Sequence, residues 1–516
     1  MEDKILISVK NLTFTYQGMD TPAIKDVSMD IQEGKCVLLC GKSGCGKTTM
    51  TRVLNGLVPV FFKGELSGEC RVCGLECGSA TVEDFVPVVG SVFQNPKTQY
   101  FNTNTTAELA FPCENMGISP DEIADRVKAC AKKYGLEGLL DRSIFRLSGG
   151  EKQKIAFGAA TMLSPRLLVL DEPTSNLDAG AVAALHDMIA EMKGEGMTIV
   201  LAEHRLAWAL DFVDEYYFFE DGQMKEHYSA EQFMALPDEE LARRGLRAAR
   251  LEPYRRTLEG KVCGLEAGES SLCGADALGR SGEHRSGADG KAVVESGSGA
   301  DVGERAVERR NSVQESEAEL RLCNVTIGYN KKIPVYNVHD MRFRGGEIVG
   351  VMGHNGVGKS TLIRTMTGLI KPLSGDILWN GKKQRAKDMK KRSFLVMQDV
   401  NYQLFSDSVR EEIMLDTQDK DACERVLEAL GLMPYADRHP MSLSGGQKQR
   451  TAIASAMVSQ KELTVMDEPT SGLDRYHMKQ VGELIQELKR QGKLVVVITH
   501  DEELAAGWCD RIYRLG

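Results

Sequence analysis

The sequence predicts an α/β protein in which one unit is written twice. Three observations carry that expectation. Leu-Ser-Gly-Gly occurs at residues 147–150 and again at 443–446. The spacing downstream repeats without drift: Ser148 lies 23 residues before Asp171 and Ser444 lies 23 before Asp467, while Glu172 and Glu468 each precede a histidine, His204 and His500, by 32. In both halves, short apolar runs alternate with helical stretches, the pattern of a mostly parallel sheet with crossover helices. A repeat held in register over such a length decides the architecture before any local reading does.

Each unit opens with a β-type run, at 5–9 and 320–325, and then reaches an apolar strand, at 35–40 and 347–352. Each of these strands feeds a glycine-rich loop and a helix. The stretches at about 104–147 and 407–443 carry helical periodicity and few strand signals, and are expected to form a helical subdomain inserted in the α/β core. Further buried strands are expected at 167–170, 198–202, 463–466 and 494–499. The first domain is therefore set at 1–251 and the second at 319–516. Between them, 252–318 is expected to be a flexible linker, since 11 of the 44 residues from 260 to 303 are glycine and no helix or strand period runs through it. A flexible chain of that length spans roughly 45 Å, enough for the two units to face each other head to tail.

Composition narrows the class. A length of 516 residues alone would suggest about three domains, but the repeat gives two, each large enough for its own core. A net charge of −10 argues against a nucleic-acid footprint, so no nucleic-acid partner is expected. Mean hydropathy is −0.26, no run approaches the ~20 apolar residues needed to span a bilayer, and the first residues do not read as a signal peptide. The expected location is the cytoplasmic face of the cell membrane, reached through a partner. Thirteen cysteines without an export signal point to reduced thiols. Cys70, Cys73 and Cys77 fall in a stretch that matches 375–381 of the other half, where no cysteine occurs, so they read as a hairpin rather than a metal site.

Two segments carry the chemistry of phosphate. Gly41-Lys-Ser43-Gly44-Cys-Gly46-Lys47-Thr48-Thr49 and Gly353-His-Asn355-Gly356-Val-Gly358-Lys359-Ser360-Thr361 both fit G-x-x-x-x-G-K-[ST]. The glycines let the backbone curl so that its N–H groups face phosphate oxygens, and the following helix adds its positive end. Lys47 and Lys359 are expected at the β- and γ-phosphates of ATP, and Thr48 and Ser360 at Mg²⁺. Asp171 and Asp467 end apolar strands, where a carboxylate can hold Mg²⁺. Glu172 and Glu468 follow as the groups that polarise the attacking water. Gln94 and Gln398 are candidates for the Mg²⁺ or the lytic water, and His204 and His500 for the γ-phosphate.

Taken together, these motifs resemble the nucleotide-binding domain of ATP-binding cassette (ABC) proteins over nearly all of both units. Leu-Ser-Gly-Gly is that family's signature. Ser175-Asn-Leu-Asp178 and Ser471-Gly-Leu-Asp474 match its inter-domain loop, and Tyr16 and Tyr329 match the aromatic that stacks on adenine. The resemblance implies two tandem P-loop NTPase domains, each with a mostly parallel sheet core, an N-terminal antiparallel β part and the inserted helical subdomain. It also implies that the two halves pair within the chain, each ATP lying between the phosphate loop of one half and the signature of the other. One site then joins Lys47, Thr48, Gln94, Asp171, Glu172 and His204 to Ser444, Gly445 and Gly446. The other joins Lys359, Ser360, Gln398, Asp467, Glu468 and His500 to Ser148, Gly149 and Gly150.

Within that family, Gln94-Asn-Pro-Lys-Thr-Gln-Tyr100-Phe101 is similar to a run in the ATPases of energy-coupling factor (ECF) importers of vitamins and metal ions. The second half keeps Gln403-Leu404-Phe405 without the Asn-Pro, and Glu203-His204-Arg205 is also similar to that group. This branch implies integral membrane partners, a transmembrane coupling protein and a substrate-binding membrane protein, with Tyr100, Phe101, Leu404 and Phe405 near the groove that grips them. Two alternatives stand beside it. Sugar-import ATPases of similar length often carry a degenerate second site, whereas both motif sets here are intact. Soluble tandem ABC proteins that act on ribosomes tend to have basic helical linkers, whereas 252–318 holds 9 basic and 13 acidic residues. A last expectation concerns Cys45, inside the first phosphate loop, where Lys47 and the helix N-terminus favour a reactive thiolate.

Overall fold

The computed structural model describes residues 4–94, 99–175, 177–263, 318–330 and 332–516. Asn95, Pro96, Lys97 and Thr98 of the importer-like run, Asn176 of the first inter-domain loop, and the linker stretch with Cys273 lie outside the described residues.

Each half has the same two-sheet plan. In the first, the strands Gly64–Val72, Ile5–Tyr16 and Ile24–Gln32 pair antiparallel, with a short strand Leu75–Glu76 completing a hairpin at the edge. The cysteines at 70, 73 and 77 belong to that hairpin and its turn. The larger sheet runs Val89–Val92, Leu167–Asp171, Thr198–Ala202, Cys36–Gly41, Glu215–Glu220, all parallel, with Gln223–Ser229 antiparallel at its rim. The three central strands are buried at every position, which is why they read as continuous apolar runs rather than alternations. The second half repeats both sheets, its parallel core running Ser393–Val396, Leu463–Asp467, Leu494–Ile498, Ile348–Gly353, Arg511–Leu515.

Crossover helices cover the parallel sheets. Lys47–Leu54 and Lys359–Met366 start directly from the phosphate loops, capped by Gly46 and Gly358 at φ 107° and 108°. That left-handed backbone suits glycine, and a Cβ on Gly46 would lie 2.9 Å from the carbonyl oxygen of Ala23. The inserted subdomains contain the helices Thr105–Asn115 and Pro120–Lys133 in the first half, and Val409–Met414 and Lys420–Ala429 in the second. Among the described residues, no helix is long and apolar enough to cross a membrane.

The expected start of the linker needs correction. Residues 252–263, placed in it on the strength of the glycine-rich stretch that follows, are built into the second half. Glu252–Glu259 is a helix whose Leu258 enters the second half's core, and Val262–Cys263 adds a parallel strand beside Ile512–Tyr513. The rim position filled in the first half by its own strand 223–229 is thus filled in the second by chain from the first. Apolar residues at 254, 258 and 262 recur at every fourth place and pack on the second half's core, a burial that offsets the entropy of ordering this segment.

Candidate functional site

The two halves face each other across one continuous cavity of about 1030 Å³. On one side it is lined by Ser43, Gly44, Gly46, Lys47, Thr48, Thr49, Gln94, Glu172 and His204, together with Ser444, Gly445 and Gly446 of the opposite half. On the other it is lined by Asn355, Gly356, Lys359, Ser360, Gln398, Asp467, Glu468 and His500, with Ser148 and Gly149. Gly41, Gly150, Gly353, Gly358, Thr361 and Asp171 stand behind this lining; Gly41 and Gly353 end the strands that feed the phosphate loops.

Contacts between the halves pin the phosphate loops. Asp474 Oδ2 accepts the N–H of Ser43 at 2.6 Å, and Asp178 Oδ2 accepts the N–H of Asn355. Each aspartate also caps its own helix, Asp178 through Ala181 N at 2.8 Å and Asp474 through His477 N at 2.8 Å. Ser471 Oγ donates to the carbonyl of Ser175, so the two inter-domain loops meet. The signature serines cap the helices Gly149–Thr161 and Gly445–Val458, with a capping box to Glu151 and Gln447, and so aim two positive helix ends into the cavity.

Each phosphate loop holds its lysine curled inward. Lys47 Nζ donates to the carbonyls of Gly41 (2.9 Å) and Lys42 (3.0 Å), and Lys359 Nζ to those of Gly353 (2.6 Å) and His354 (3.1 Å). Thr48 Oγ1 donates to Asp171 at 3.2 Å, and Ser360 Oγ to Asp467 at 3.4 Å. A hydroxyl and a carboxylate so placed are the oxygen donors that a small hard cation selects. Burial and the neighbouring glutamate push Asp171 up to about 7 and Asp467 to about 6, a crowding of negative charge that a bound Mg²⁺ would relieve. Glu172 goes the other way. Burial alone would raise it, but His204, Lys47 and Gln94 outweigh that and hold its carboxyl below the ordinary value, which keeps it ionised. Gln94 Nε2 donates to Glu172 Oε2 at 2.6 Å, and His204 Nε2 lies 3.1 Å from Glu172 Oε1.

The second site uses the same residues in another pose. His500 meets Glu468 through Nδ1 at 2.7 Å, leaving its buried Nε2 without a partner. Gln398 is exposed on the cavity wall. Glu172 and Glu468 share one strained feature, a left-handed backbone at φ 46° and 50°, which turns each carboxylate off the end of its strand and into the cavity.

Tyr16 and Tyr329 lie outside the cavity lining. Tyr16 hydroxyl is 3.1 Å from Thr49 Oγ1 and accepts from Arg52, while Tyr329 is exposed and accepts from Arg364 at 3.1 Å. Both are thus tethered to the helix that follows their phosphate loop.

Two expectations fail on burial. Cys45 is not poised as a thiolate: it is packed under the loop, where the second half has the equally buried Val357, and desolvation pushes its thiol up despite Lys47. Leu404 is only 4% exposed and belongs to the second half's core, and Tyr100 is half-buried with its hydroxyl on the carbonyl of Lys152. Leu404 therefore presents no surface to a partner. The residues next to Tyr100 and Leu404 do, Phe101 at 77% exposed and Phe405 at 71%.

A device that the motifs did not reveal sets those aromatics. Glu108 Oε2 accepts the N–H groups of Phe101 (3.1 Å) and Asn102 (2.7 Å); Glu412 Oε2 accepts those of Phe405 (2.9 Å) and Ser406 (2.8 Å). Gln99 and Gln403 brace the same loops, each accepting one backbone N–H and donating to one strand carbonyl. The available signal was a glutamate seven residues after each phenylalanine, in both halves.

Two facing phosphate loops, each opposite the other half's signature helix, define a tandem P-loop ATPase. The chain belongs to the ABC transporter family, whose model matches residues 24–175 and 336–471. Its relatives include a putative ABC transporter ATP-binding protein of Treponema denticola, 38% identical over 99% of this chain and 95% of that one. Another, from Methanosarcina acetivorans, is 33% identical over 98% of this chain and 83% of its own. Among solved structures, the RNase-L Inhibitor is similar over 97% of this chain and 87% of its own, with 19% identity and a TM-score of 0.60, a likeness of fold. The cbiO1 protein of Clostridium perfringens, described as part of the ABC transporter complex cbiONQ, is 28% identical over 47% of this chain and 94% of that one, with a TM-score of 0.42. The protein binds ATP with Mg²⁺ and hydrolyses it.

Proposed function

We propose that this chain is the energy-coupling subunit of an ECF-type importer of a vitamin, vitamin precursor or metal ion. In this reading it works at the cytoplasmic face of the membrane, against a transmembrane coupling protein and a substrate-binding membrane protein. Lys47, Lys359 and the signature helices bind the γ-phosphates from both sides. Thr48, Ser360, Asp171 and Asp467 hold Mg²⁺, which neutralises developing phosphate charge. Glu172 and Glu468 take the proton of the attacking water, positioned by Gln94 and Gln398, while His204 and His500 contact the γ-phosphate. ATP binds the closed pair better than the open one, so binding closes the halves and hydrolysis frees them.

The observation that carries the membrane reading is the matched pair Phe101 and Phe405. An apolar ring held out to solvent by a buried glutamate, at the same place in both inserted subdomains, suits two helices of a membrane partner arriving symmetrically. Phe145 and Met441, also exposed, extend the apolar surface of each subdomain.

The test is an affinity pull-down of the tagged chain from detergent-solubilised native cells, run beside the Phe101→Ala, Phe405→Ala double variant. A polytopic membrane protein and a small integral subunit should accompany the wild type and be lost from the variant, with ATP binding retained. Ribosomes recovered without a membrane partner would overturn import and leave the ATP sites as described.

A further inference from the structure

The end of the first half crosses to the second, and Arg247 fixes the crossing. Its side chain is 2% exposed. Nε donates to Glu503 Oε1 at 2.6 Å, Nη2 to Asp501 Oδ1 at 2.5 Å and Nη1 to the carbonyl of Leu473 at 3.2 Å. Those acceptors belong to two working segments of the second half. Leu473 precedes Asp474, which holds the phosphate loop at Ser43, and Asp501 follows His500. Asp501 in turn accepts Thr470 Oγ1 at 2.7 Å and the N–H of Leu504 at 3.2 Å. Arg475 closes the cluster with an ion pair to Glu503 at 3.1 Å and an N–H bond to the carbonyl of Gly245 at 3.3 Å.

The first half solves the same problem locally. Thr174, the counterpart of Thr470, donates to Glu203 at 2.7 Å, and Glu203 also accepts the N–H groups of His204 (2.8 Å) and Arg205 (3.2 Å). The carboxylate comes before the histidine in one half and after it in the other. Glu203 is satisfied by its own half, whereas Asp501, besides Thr470 and Leu504 of its own half, takes a guanidinium from the opposite domain.

We propose that Arg247 is a positioning residue for ATP hydrolysis, through which the first half sets His500 and makes the two ATP sites unequal. Asp501 and Glu503 are buried together, so they need a cation that cannot be neutralised and can bond both at once, which describes arginine. Burial would push Asp501 up, but Arg247 and then Arg205, both from the first half, hold it well below the usual carboxylate range. Without Arg247, a buried charge is left unpaired, and the segment at 500–503 must protonate or move. His500 moves with it, while His204 keeps its local support. The proposal concerns hydrolysis alone and stands whichever cargo the chain serves.

The test is steady-state ATP hydrolysis by the full chain with Arg247→Ala, in a Glu172→Gln background that leaves the second site active and in a Glu468→Gln background that leaves the first. The second site should lose roughly 10- to 100-fold in kcat with KM for ATP unchanged, the range for a misplaced catalytic group, and the first site far less. Should Arg247→Ala fail to fold, Arg247→Lys carries the same expectation, because one ammonium cannot bond both carboxylates and the Leu473 carbonyl. Equal losses at both sites would overturn the proposal. So would full rates at both sites with only a lowered melting temperature, which would make Arg247 a structural clamp.

Discussion

Replacing Asp474 with asparagine should uncouple the halves without damaging either. Asp474 is 1% exposed and accepts three bonds, from Ser43 N at 2.6 Å across the interface, and from His477 N at 2.8 Å and His477 Nδ1 at 2.9 Å within its own half. Burial opposes its charge, but His477 and Ser43 hold it well below the usual carboxylate range, so it is ionised. Asparagine caps helices as well as aspartate does, so the helix Arg475–Arg490 should keep its start. Its single oxygen then serves His477, and its amide faces the N–H of Ser43, donor against donor. The loss is one charge-assisted bond, about 1.5–3 kcal/mol. That corresponds to roughly a 10- to 150-fold rise in the ATP concentration needed for closure. Energy transfer between dyes on the two halves, titrated with ATP in the presence of Mg²⁺, reads this midpoint, and the melting temperature checks the fold. A closure midpoint unchanged in Asp474→Asn would refute the assignment of Asp474 to the interface.

Three further outcomes are expected. Glu172→Gln and Glu468→Gln should each lower hydrolysis at their own site by about 10²- to 10⁴-fold while ATP still binds, measured by single-turnover hydrolysis and equilibrium binding. Thiol-directed alkylation at Cys45 should be slow and unaffected by ATP, because the thiol is buried and pushed up; rapid labelling detected by peptide mass spectrometry would contradict this. Partial burial lowers His186, but Asp187 and Asp211, at 3.0 and 2.9 Å, outweigh it and raise its pKa. A raised histidine contributes stability that is fully present below its unfolded value, about 6.5, and is lost as pH rises through the folded value. Urea midpoints of the first half's transition should therefore fall across that window in the wild type and fall less in Asp211→Asn.

The ATP sites were legible in the sequence because phosphate chemistry fixes residue types at fixed spacings. A loop such as 41–48 must supply glycines, a lysine and a hydroxyl in one order. The central strands were legible for a related reason, since a strand buried on both faces has no polar positions to blur its limits. What stayed hidden depends on contacts far apart in the chain. Arg247 pairs with Asp501 and Glu503, some 250 residues away, and nothing near it in sequence announces a partner. Leu404 and Phe405 are adjacent and both apolar; only the register of their loop, set by Glu412, turns one inward and the other out. The linker's start at 252–263 was concealed by the glycine-rich stretch after it, because its partner strand, Arg511–Leu515, lies at the other end of the second half.

The central claim, that each ATP is handled by both halves, is tested most directly by pairing a signature lesion with each catalytic lesion. Ser444→Arg with Glu172→Gln strikes one composite site twice, whereas Ser444→Arg with Glu468→Gln strikes both sites. Single-turnover hydrolysis should persist in the first pair at the rate of Glu172→Gln alone and vanish in the second. The reverse pattern would contradict the account, because it would assign each signature to the phosphate loop of its own half.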